Sequence, residues 1–299
     1  MPSYTTANIR NIVFVGHAGS GKTSLVEALL LEGGALHQKG LVESASTVSD
    51  FTDEEKKSGY SIFSSISHCK YGEQLLNFLD TPGYADFIGQ SLSFLPAADT
   101  AAIVISATAG IEPVTRKMME RAAELNLARM IVITKIDAEN IHPEELVKTI
   151  RETFGKECLP INLPSKDRNQ IIDCFYNTEG ESEFSSISAA HQQIVDQVVE
   201  VDEDLMSIYL EQGDVTPEQL HGAFVRALKE GHLIPICFVS SRVHTNPQNS
   251  VGIKELLKVF AELSPSPLEA NPRYYYKCTN PESPIEYVAD VTGHLLAHV

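Results

Sequence analysis

The sequence Gly16-His-Ala-Gly-Ser-Gly-Lys-Thr23 decides the fold class of this chain, because it matches the pattern GxxxxGK[ST] of a phosphate-binding loop. A β-branched run at residues 11–15 precedes it, and a helical pattern at residues 23–31 follows it and stops at Gly33. Glycines let the backbone N–H groups of such a loop wrap a polyphosphate, and the helix N-terminus faces the same oxygens. The alternative is a glycine-rich turn with an incidental lysine, which the flanking strand and helix disfavour.

Two side chains of this loop have predicted roles at a nucleotide. Lys22 is expected to pair with the β- and γ-phosphates, and the Thr23 hydroxyl is placed to ligate Mg²⁺. A metal role is not expected for His17, because its neighbours show no metal-ligand spacing. The residues predicted to surround the phosphates are Gly16, His17, Ala18, Gly19, Ser20, Gly21, Lys22, Thr23 and Ser24.

A second motif, Asp80-Thr-Pro-Gly83, follows the apolar residues 75–79, at the kind of strand end where a doubly wound sheet binds its ligands. Asp80 can hold Mg²⁺ there, through water. The amide of Gly83 can approach a γ-phosphate because no side chain is in the way. Alone, this motif would be interpreted as an ordinary turn after a strand. Together with the phosphate-binding loop it predicts a γ-phosphate sensor.

A third motif, Thr134-Lys-Ile-Asp137, also closes a strand and indicates guanine as the base. The Asp137 carboxylate can accept hydrogen bonds from the N1–H and the exocyclic amino group of guanine, whereas adenine would leave it buried and unpaired. That mismatch costs on the order of several kcal/mol, which is enough to select the base. The alternative is an aspartate that caps a helix. The stem of Lys135 is predicted to lie over the base, and Ser240 and Ser241 to complete the pocket.

Strands and helices alternate along the chain as in a doubly wound α/β domain with a mostly parallel sheet. Near-continuous apolar runs predict strands that are covered on both faces, and Pro143 predicts a helix start. The predicted strands are residues 11–15, 61–66, 75–79, 101–106, 130–134 and 233–239. The predicted helices are residues 23–31, 112–127, 144–153 and 251–263.

Changes in composition predict three units along the chain. Residues 1–155 and 232–268 would form the nucleotide-binding domain. Residues 156–231 are polar and turn-rich, then helical, with a capping signal at Thr216, and would form an inserted small subdomain. Residues 269–299 would be a linker and the truncated start of a β domain, because the alternating pattern of residues 285–299 stops without a turn or a cap.

Composition and charge limit the classes of protein. The net charge of −17 at pH 7 predicts little direct nucleic-acid binding, since proteins that bind nucleic acid directly usually have a positively charged surface. The five cysteines are far apart and indicate reduced structural thiols, with a zinc site improbable. The N-terminus has no apolar signal region and no run could cross a bilayer, so a cytoplasmic protein without a membrane partner is predicted. A monomer is expected.

The order and spacing of these motifs resemble the GTP-binding domain of elongation factor G over nearly all of residues 9–270. Short Ras-like GTPases have neither the long gap between Thr23 and Asp80 nor an insertion such as residues 156–231. The resemblance implies GTP and GDP as ligands, Mg²⁺, and ribosome-linked GTP hydrolysis that is slow without the ribosome. It also implies further domains in a longer protein. Other matching stretches are Arg10-Asn-Ile12 and residues 202–210, 235–241 and 263–268.

The resemblance also assigns roles in hydrolysis. The metal would be bound by Thr23, Ser61 and Asp80. The γ-phosphate would be held by Lys22 and Gly83. Tyr84 would sit beside the attacking water, where the family has a histidine. A tyrosine hydroxyl can donate or accept a hydrogen bond, but it cannot become a cation at physiological pH. The alternative is that Tyr84 merely packs against its neighbours.

Several residues depart from the family pattern at the nucleotide. Gly19 replaces an aspartate, Ser61 a threonine, Thr134 an asparagine and Ser241 an alanine. The change at Thr134 is expected to loosen the tie between the base pocket and the phosphate loop. These departures resemble divergent elongation factor G-like paralogues. Two interpretations stay open: a ribosome-stimulated GTPase, or a ribosome-associating GTP-bound regulator with weak or vestigial hydrolysis. A ribosomal protection or release factor would share the same domain.

Overall fold

The computed structural model of this chain describes residues 4–212, 215–241, 249–272, 276–277 and 280–284. Its strands are β1 (Ile9–Val15), β2 (Ser65–Tyr71), β3 (Gln74–Asp80), β4 (Thr100–Ser106), β5 (Ala128–Thr134), β6 (Cys158–Pro160), β7 (Asn162–Pro164), β8 (Ile171–Asp173), β9 (Ile234–Phe238), β10 (Tyr276–Lys277) and β11 (Asn280–Pro284). Its α-helices are α1 (Lys22–Glu32), α2 (Asp53–Ser58), α3 (Ile88–Phe94), α4 (Pro113–Glu124), α5 (Pro143–Phe154), α6 (Ile187–Val199), α7 (Glu203–Gln212), α8 (Pro217–Glu230) and α9 (Ile253–Leu263).

Seven strands form one sheet in the order β2-β3-β1-β4-β5-β9-β6. Only β2 runs antiparallel to its neighbour within this sheet, and the other pairs are parallel. Every residue of β4 is buried, as the near-continuous apolar run predicts for a strand covered on both faces. Helices α1 and α9 cover one side, where Phe14 of β1 meets Phe78 of β3 and Phe260 of α9 edge to face. The predicted doubly wound α/β fold is confirmed.

Local sequence signals explain where several helices begin. Pro113 and Pro143 occupy the first turns of α4 and α5, where a missing N–H costs nothing. Thr52 and Glu55 form a reciprocal capping box at α2, and Thr216 forms another with Gln219 at α8. The predicted start of α8 and its end at Gly231 are therefore confirmed.

One predicted strand is wrong. The sequence predicts a strand at residues 61–66, but β2 begins at Ser65, opposite Asp80, and the residues before it form a loop. The N–H groups of Ile62 and Phe63 donate to the Glu55 carboxylate at 3.0 and 2.9 Å. Because the carboxylate takes the donors that a strand would need, the chain stays irregular there until Ser64.

The first residues of the predicted insertion belong to the main sheet. Residues 158–160 fall within the predicted insertion, yet they form β6, which pairs with β9 at the edge of the main sheet. The hairpin of β7 and β8 and the helices α6, α7 and α8 follow, and they contact the main sheet through β7 against β9 and α8 against β5. Arg168 in that hairpin loop donates to the carbonyl of Ala138 at 3.1 Å, so the segment predicted as an insertion contacts the residues after the third motif.

Further features bear on the remaining predictions. Strands β10 and β11 form an antiparallel pair, and the predicted pattern of residues 285–299 lies outside the described residues. Within the described ranges, no helix is both long and apolar enough to cross a membrane. Four cysteines (Cys69, Cys158, Cys174 and Cys237) are free and buried, and burial raises the pKa of each thiol. Cys278 lies outside the described residues.

Candidate functional site

The three sequence motifs meet in one cleft of about 610 Å³ at the carboxyl end of the sheet. They come together because each motif follows a parallel strand, and parallel strands all end at the same edge. Five other predicted residues, Gly16, His17, Ser20, Asp80 and Thr134, lie behind this lining. The predicted residues that line the cleft are Ala18, Gly19, Gly21, Lys22, Thr23, Ser24, Ser61, Gly83, Tyr84, Lys135, Asp137, Ser240 and Ser241.

Two glycines allow the phosphate loop to adopt its shape. Gly16 has φ of 147°, and a Cβ there would lie 2.4 Å from the carbonyl oxygen of Val104. A Cβ on Gly83 would lie 2.4 Å from the Lys22 ammonium and 2.6 Å from the amide nitrogen of Ala18. A side chain at Gly16 would push the loop away from β4, and a side chain at Gly83 would push the second motif and the loop apart. Glycine at position 83 therefore allows the two backbones to touch.

Lys22 is held inside the loop by two carbonyl groups. Its Nζ donates to the oxygens of Gly16 and His17, both at 2.9 Å, and the side chain is only 6% exposed. Burial lowers the pKa of Lys22 to about 8, and the nearby charges of Asp80 and Glu112 oppose that shift. The ammonium has three donors. The arrangement leaves its remaining donor at the floor of the cleft, where Gly83 also lies.

Four oxygen-bearing side chains gather at the same end of the cleft. The Thr23 and Ser61 hydroxyls are 3.1 Å apart, and Ser61 donates to Oδ1 of Asp50 at 2.7 Å. Asp80 lies behind them, 2% exposed, and among the described residues no group forms a well-aligned hydrogen bond to either of its carboxylate oxygens, although the Thr23 and Ser49 hydroxyls lie near it. Burial raises the pKa of Asp80 to about 6, although the Thr23 hydroxyl and the Lys22 charge oppose this. A buried carboxylate left unpaired is a costly arrangement unless a cation completes it.

These residues fit a hard divalent cation. Magnesium prefers oxygen ligands, and it binds through one or two carboxylates together with phosphate oxygens. Among the described residues, no three His, Cys, Asp or Glu side chains gather at a metal-binding distance. A cation at Asp80 would therefore need the Thr23 and Ser61 hydroxyls and ligand oxygens as well.

Asp50 is a site residue that the sequence analysis missed. Its carboxylate is 3% exposed and accepts hydrogen bonds from Ser61 and, at 3.1 Å, from Thr47. It fixes the Ser61 hydroxyl, which a cation at Asp80 would need as a ligand. The only local signal is that an acidic residue stands just ahead of the Thr52 cap, and no motif spacing marks it.

The third motif builds the opposite end of the cleft. Ser240 donates to Oδ1 of Asp137 at 2.5 Å, so the carboxylate is already oriented. Lys135 has a positive φ of 59° and donates from Nζ to the carbonyl of Gly19 at 2.7 Å. Its stem therefore bridges from the base end to the phosphate loop, along the path predicted to cover a base.

The structure contains a tie at Thr134, and the expected loosening relative to asparagine stays a prediction. The Thr134 hydroxyl is fully buried and donates to the carbonyl of Ser20 at 2.6 Å, with a longer contact of 3.3 Å to Ile105. Gly21 packs against the same side chain. The short threonine reaches the loop backbone directly, so the tie between the base end and the phosphate loop is retained.

We expect Thr134→Val to destabilise the protein by about 1–3 kcal/mol, because the isosteric change leaves the buried Ser20 carbonyl without its donor. Denaturant unfolding would measure this free energy. Thr149→Val is a matched control, since Thr149 lies exposed on α5 and bonds only to its own helix at 2.9 Å. Equal stability of the two variants would contradict a structural tie at Thr134.

Tyr84 lies at the mouth of the cleft in an aromatic cluster. Its ring centroid is 4.6 Å from that of Tyr60, and Tyr60 stacks on Phe87 at 6.3 Å. The side chain is 44% exposed, so its hydroxyl remains accessible to water. Tyr84 thus both packs against its neighbours and lines the cleft. His17 differs, because its ring pairs with Glu112 at 3.4 Å and only its backbone serves the loop.

Comparisons with known proteins agree with this geometry. Residues 7–266 match the family of the elongation factor Tu GTP binding domain. An elongation factor G-like protein of Mycobacterium tuberculosis is 32% identical over 274 residues, which cover 87% of this chain and 38% of that protein. Elongation factor G of Fervidobacterium nodosum is 29% identical over 283 residues, which cover 88% of this chain and 40% of that protein.

A solved structure gives the same result for the fold. The crystal structure of a Thermus thermophilus protein matches this chain with a TM-score of 0.78 and 34% sequence identity. The match covers 88% of this chain and 41% of that one. The chain therefore spans about two fifths of the length of the proteins that it matches.

Proposed function

This chain belongs to the family of the elongation factor Tu GTP binding domain and is a translational GTPase domain of the elongation factor G type, and from this we propose that it hydrolyses GTP on the ribosome with Mg²⁺ as its metal. The observation that carries the proposal is the buried carboxylate of Asp80, for whose two oxygens the described residues supply no well-aligned hydrogen bond. It lies behind Thr23 and Ser61, at the end of the cleft where Lys22 and Gly83 also meet. A cation and a triphosphate together would satisfy all of these groups.

Each end of the cleft has a part in binding the nucleotide. Asp137, oriented by Ser240, would accept the two donors of guanine, and the Lys135 stem would cover the ring. The backbone of residues 16–24 would wrap the phosphates, with Lys22 on the β- and γ-phosphates. This division explains why the predicted residues lie at two separate ends of one cleft.

Hydrolysis in this proposal depends on positioning and electrostatic stabilisation. Thr23, Ser61 and Asp80 would hold Mg²⁺, which neutralises charge on the phosphate oxygens. Lys22 places a cation beside the γ-phosphate, and the Gly83 amide can donate to it without a side chain between them. Tyr84 at the cleft mouth would orient the attacking water by hydrogen bonding alone, since its hydroxyl carries no positive charge.

Tyr84 also favours a second function. If the histidine that the family has at this position acts by its positive charge, Tyr84 would make hydrolysis slow. The protein would then act as a ribosome-associating GTP-bound regulator. Its packing against Tyr60 supports this alternative, because a ring held in a cluster is less free to reach a water.

The proposal extends to the organisation and setting of the protein. Residues 1–155 and 232–268 would be the GTP-binding domain, residues 156–231 the insertion, and residues 269–299 a linker leading to a second domain. In the full-length protein the partner would be the ribosome in the cytoplasm, with the protein a monomer and little nucleic acid bound by this domain. The acidic net charge of −17 supports that last point.

Tyr84→His in the full-length protein tests both functions. We expect single-turnover GTP hydrolysis at saturating ribosomes to rise about tenfold to a thousandfold, the effect of one electrostatic contact to the reacting centre. Tyr84→Phe keeps the ring packing and is the matched control, which should not accelerate hydrolysis. Equally fast hydrolysis by the unmodified protein would reject the regulator. If both proteins stay at the ribosome-free rate, ribosome-stimulated hydrolysis is rejected.

A further inference from the structure

We infer that Lys39 is a positioning residue for guanine recognition, which acts on Asp137 through the backbone of Ser241 and the side chain of Ser240. The inference rests on the proposed function, because it requires that the cleft bind guanine nucleotides. Lys39 lies between α1 and α2, outside all three sequence motifs. Its side chain nevertheless reaches the loop that closes the base end of the cleft.

The contact of Lys39 is long-range and buried. Its Nζ donates to the carbonyl oxygen of Ser241 at 2.6 Å, across 202 positions of sequence. Lys39 is 4% exposed and Ser241 is 6% exposed. A hydrogen bond from a charged donor is about twice as strong as a neutral one, and burial removes competing water. The contact therefore fixes the carbonyl group of Ser241, the residue that follows Ser240.

Ser240 passes this constraint to the base-binding carboxylate. Its hydroxyl donates to Oδ1 of Asp137 at 2.5 Å. Its own backbone is bonded twice to Val251, with N···O distances of 2.9 and 2.8 Å. Val251 thus holds the backbone of Ser240, and Lys39 holds the carbonyl group of the next residue, Ser241. The direction of the Asp137 carboxylate depends on both supports.

Lys39 itself is anchored to the helix that carries the phosphate loop. The next residue, Gly40, donates its N–H to the Glu27 carboxylate at 2.8 Å, and Val48 donates to the same carboxylate at 2.5 Å. Glu27 is fully buried on α1. A Cβ on Gly40 would lie 2.5 Å from the carbonyl oxygen of Ser46, so the segment fits closely there. Through these contacts, Lys39 sets the base end of the cleft relative to Lys22.

The consequence is measurable as base discrimination. Guanine differs from hypoxanthine by the exocyclic amino group, which is one of the two donors that Asp137 would accept. A displaced carboxylate weakens that bond, so affinity for GDP falls more than affinity for inosine diphosphate. General damage to the fold would lower the affinities for both nucleotides equally. The ratio of the two dissociation constants therefore separates positioning from stability.

The experiment is a double-mutant cycle in the full chain, with Lys39→Met, Ser240→Ala and both together. Titration calorimetry would give the dissociation constants of GDP and inosine diphosphate. We expect Lys39→Met to weaken GDP binding about tenfold and to lower the discrimination ratio at least about threefold, as the loss of one charge-assisted hydrogen bond predicts. Because the two residues act in series, the double variant should discriminate no worse than Ser240→Ala alone.

Controls separate the possible outcomes. Lys56→Met changes the same residue type at an exposed position of α2 and should leave the ratio unchanged. Three outcomes would each overturn the inference. Lys39→Met could weaken the binding of GDP and inosine diphosphate equally, folded Lys39→Met could leave the ratio of the two dissociation constants unchanged, or the losses of discrimination could add in the double variant. If thermal unfolding shows that Lys39→Met does not fold, Lys39→Gln, which is shorter and uncharged, replaces it with the same expectation. An unmodified chain that binds neither nucleotide would instead reject the proposed function.

Discussion

Asp137→Asn is expected to change the preferred base of this protein from guanine to xanthine. The carboxylate of Asp137 can accept from both donors of guanine, whereas an asparagine amide offers one acceptor and one donor. Xanthine carries a carbonyl where guanine carries the amino group, so the amide donor finds an acceptor there. Ser240, which donates to Oδ1 of Asp137, would hold the amide oxygen toward its hydroxyl and turn the NH₂ toward the base.

The expected change is large because the mismatch is buried. Placing the amide NH₂ against the amino group of guanine leaves two donors facing each other, and we expect GDP affinity to fall about 10²–10⁴-fold. The affinity for xanthosine diphosphate should rise by a comparable factor. Equilibrium titration with both nucleotides measures the switch. Asp86→Asn makes the same change in charge at an exposed position and serves as the control. An unchanged affinity for GDP would show that Asp137 does not contact the base.

Lys22→Met is expected to have the second largest effect, a loss of GTP hydrolysis by about 10²–10³-fold or more. Methionine keeps the length of the stem but removes the ammonium, which lies 6% exposed among the loop carbonyls. The carbonyls of Gly16 and His17 lose their donor, and the γ-phosphate loses its cation. Both losses act where charge develops during the transfer of the phosphoryl group.

Single-turnover hydrolysis with ribosomes measures this loss directly. Lys117→Met is the matched control, because Lys117 is exposed on α4, and it should hydrolyse GTP at the unmodified rate. If Lys22→Met hydrolyses GTP within about threefold of the unmodified rate, Lys22 does not stabilise the transition state, since one electrostatic contact changes the rate far more than that.

Features that depend on a few neighbouring residues could be predicted from the sequence. The loop at Gly16 requires conformations and close approaches that glycine tolerates, and its φ of 147° agrees with that requirement. Strand β4 could be identified because a strand covered on both faces is apolar almost throughout, and β4 is polar only at its ends, Thr100 and Ser106. Three motifs at strand ends then place their residues at one edge of the sheet, since parallel strands end together. The cleft of about 610 Å³ lies at that edge.

Features that depend on side chains meeting across long distances could not be predicted. Residues 61–66 have the composition of a strand, but the buried Glu55 carboxylate takes the N–H groups of Ile62 and Phe63. Thr134 differs from the family asparagine, yet its hydroxyl reaches the Ser20 carbonyl 114 positions away. Both outcomes depend on where a partner lies after folding.

The sequence by itself determined the class of fold and the edge of the sheet at which the three motifs meet, because both depend on local spacing and periodicity. Only the tertiary structure decided what supports them. Asp50 holds Ser61, and Lys39 holds Ser241 across 202 positions. Neither residue belongs to a motif. Hydrogen bonds of this kind require only a donor and an acceptor brought within reach, so many residue types at many spacings could form them, and no pattern along the chain marks the pair in advance.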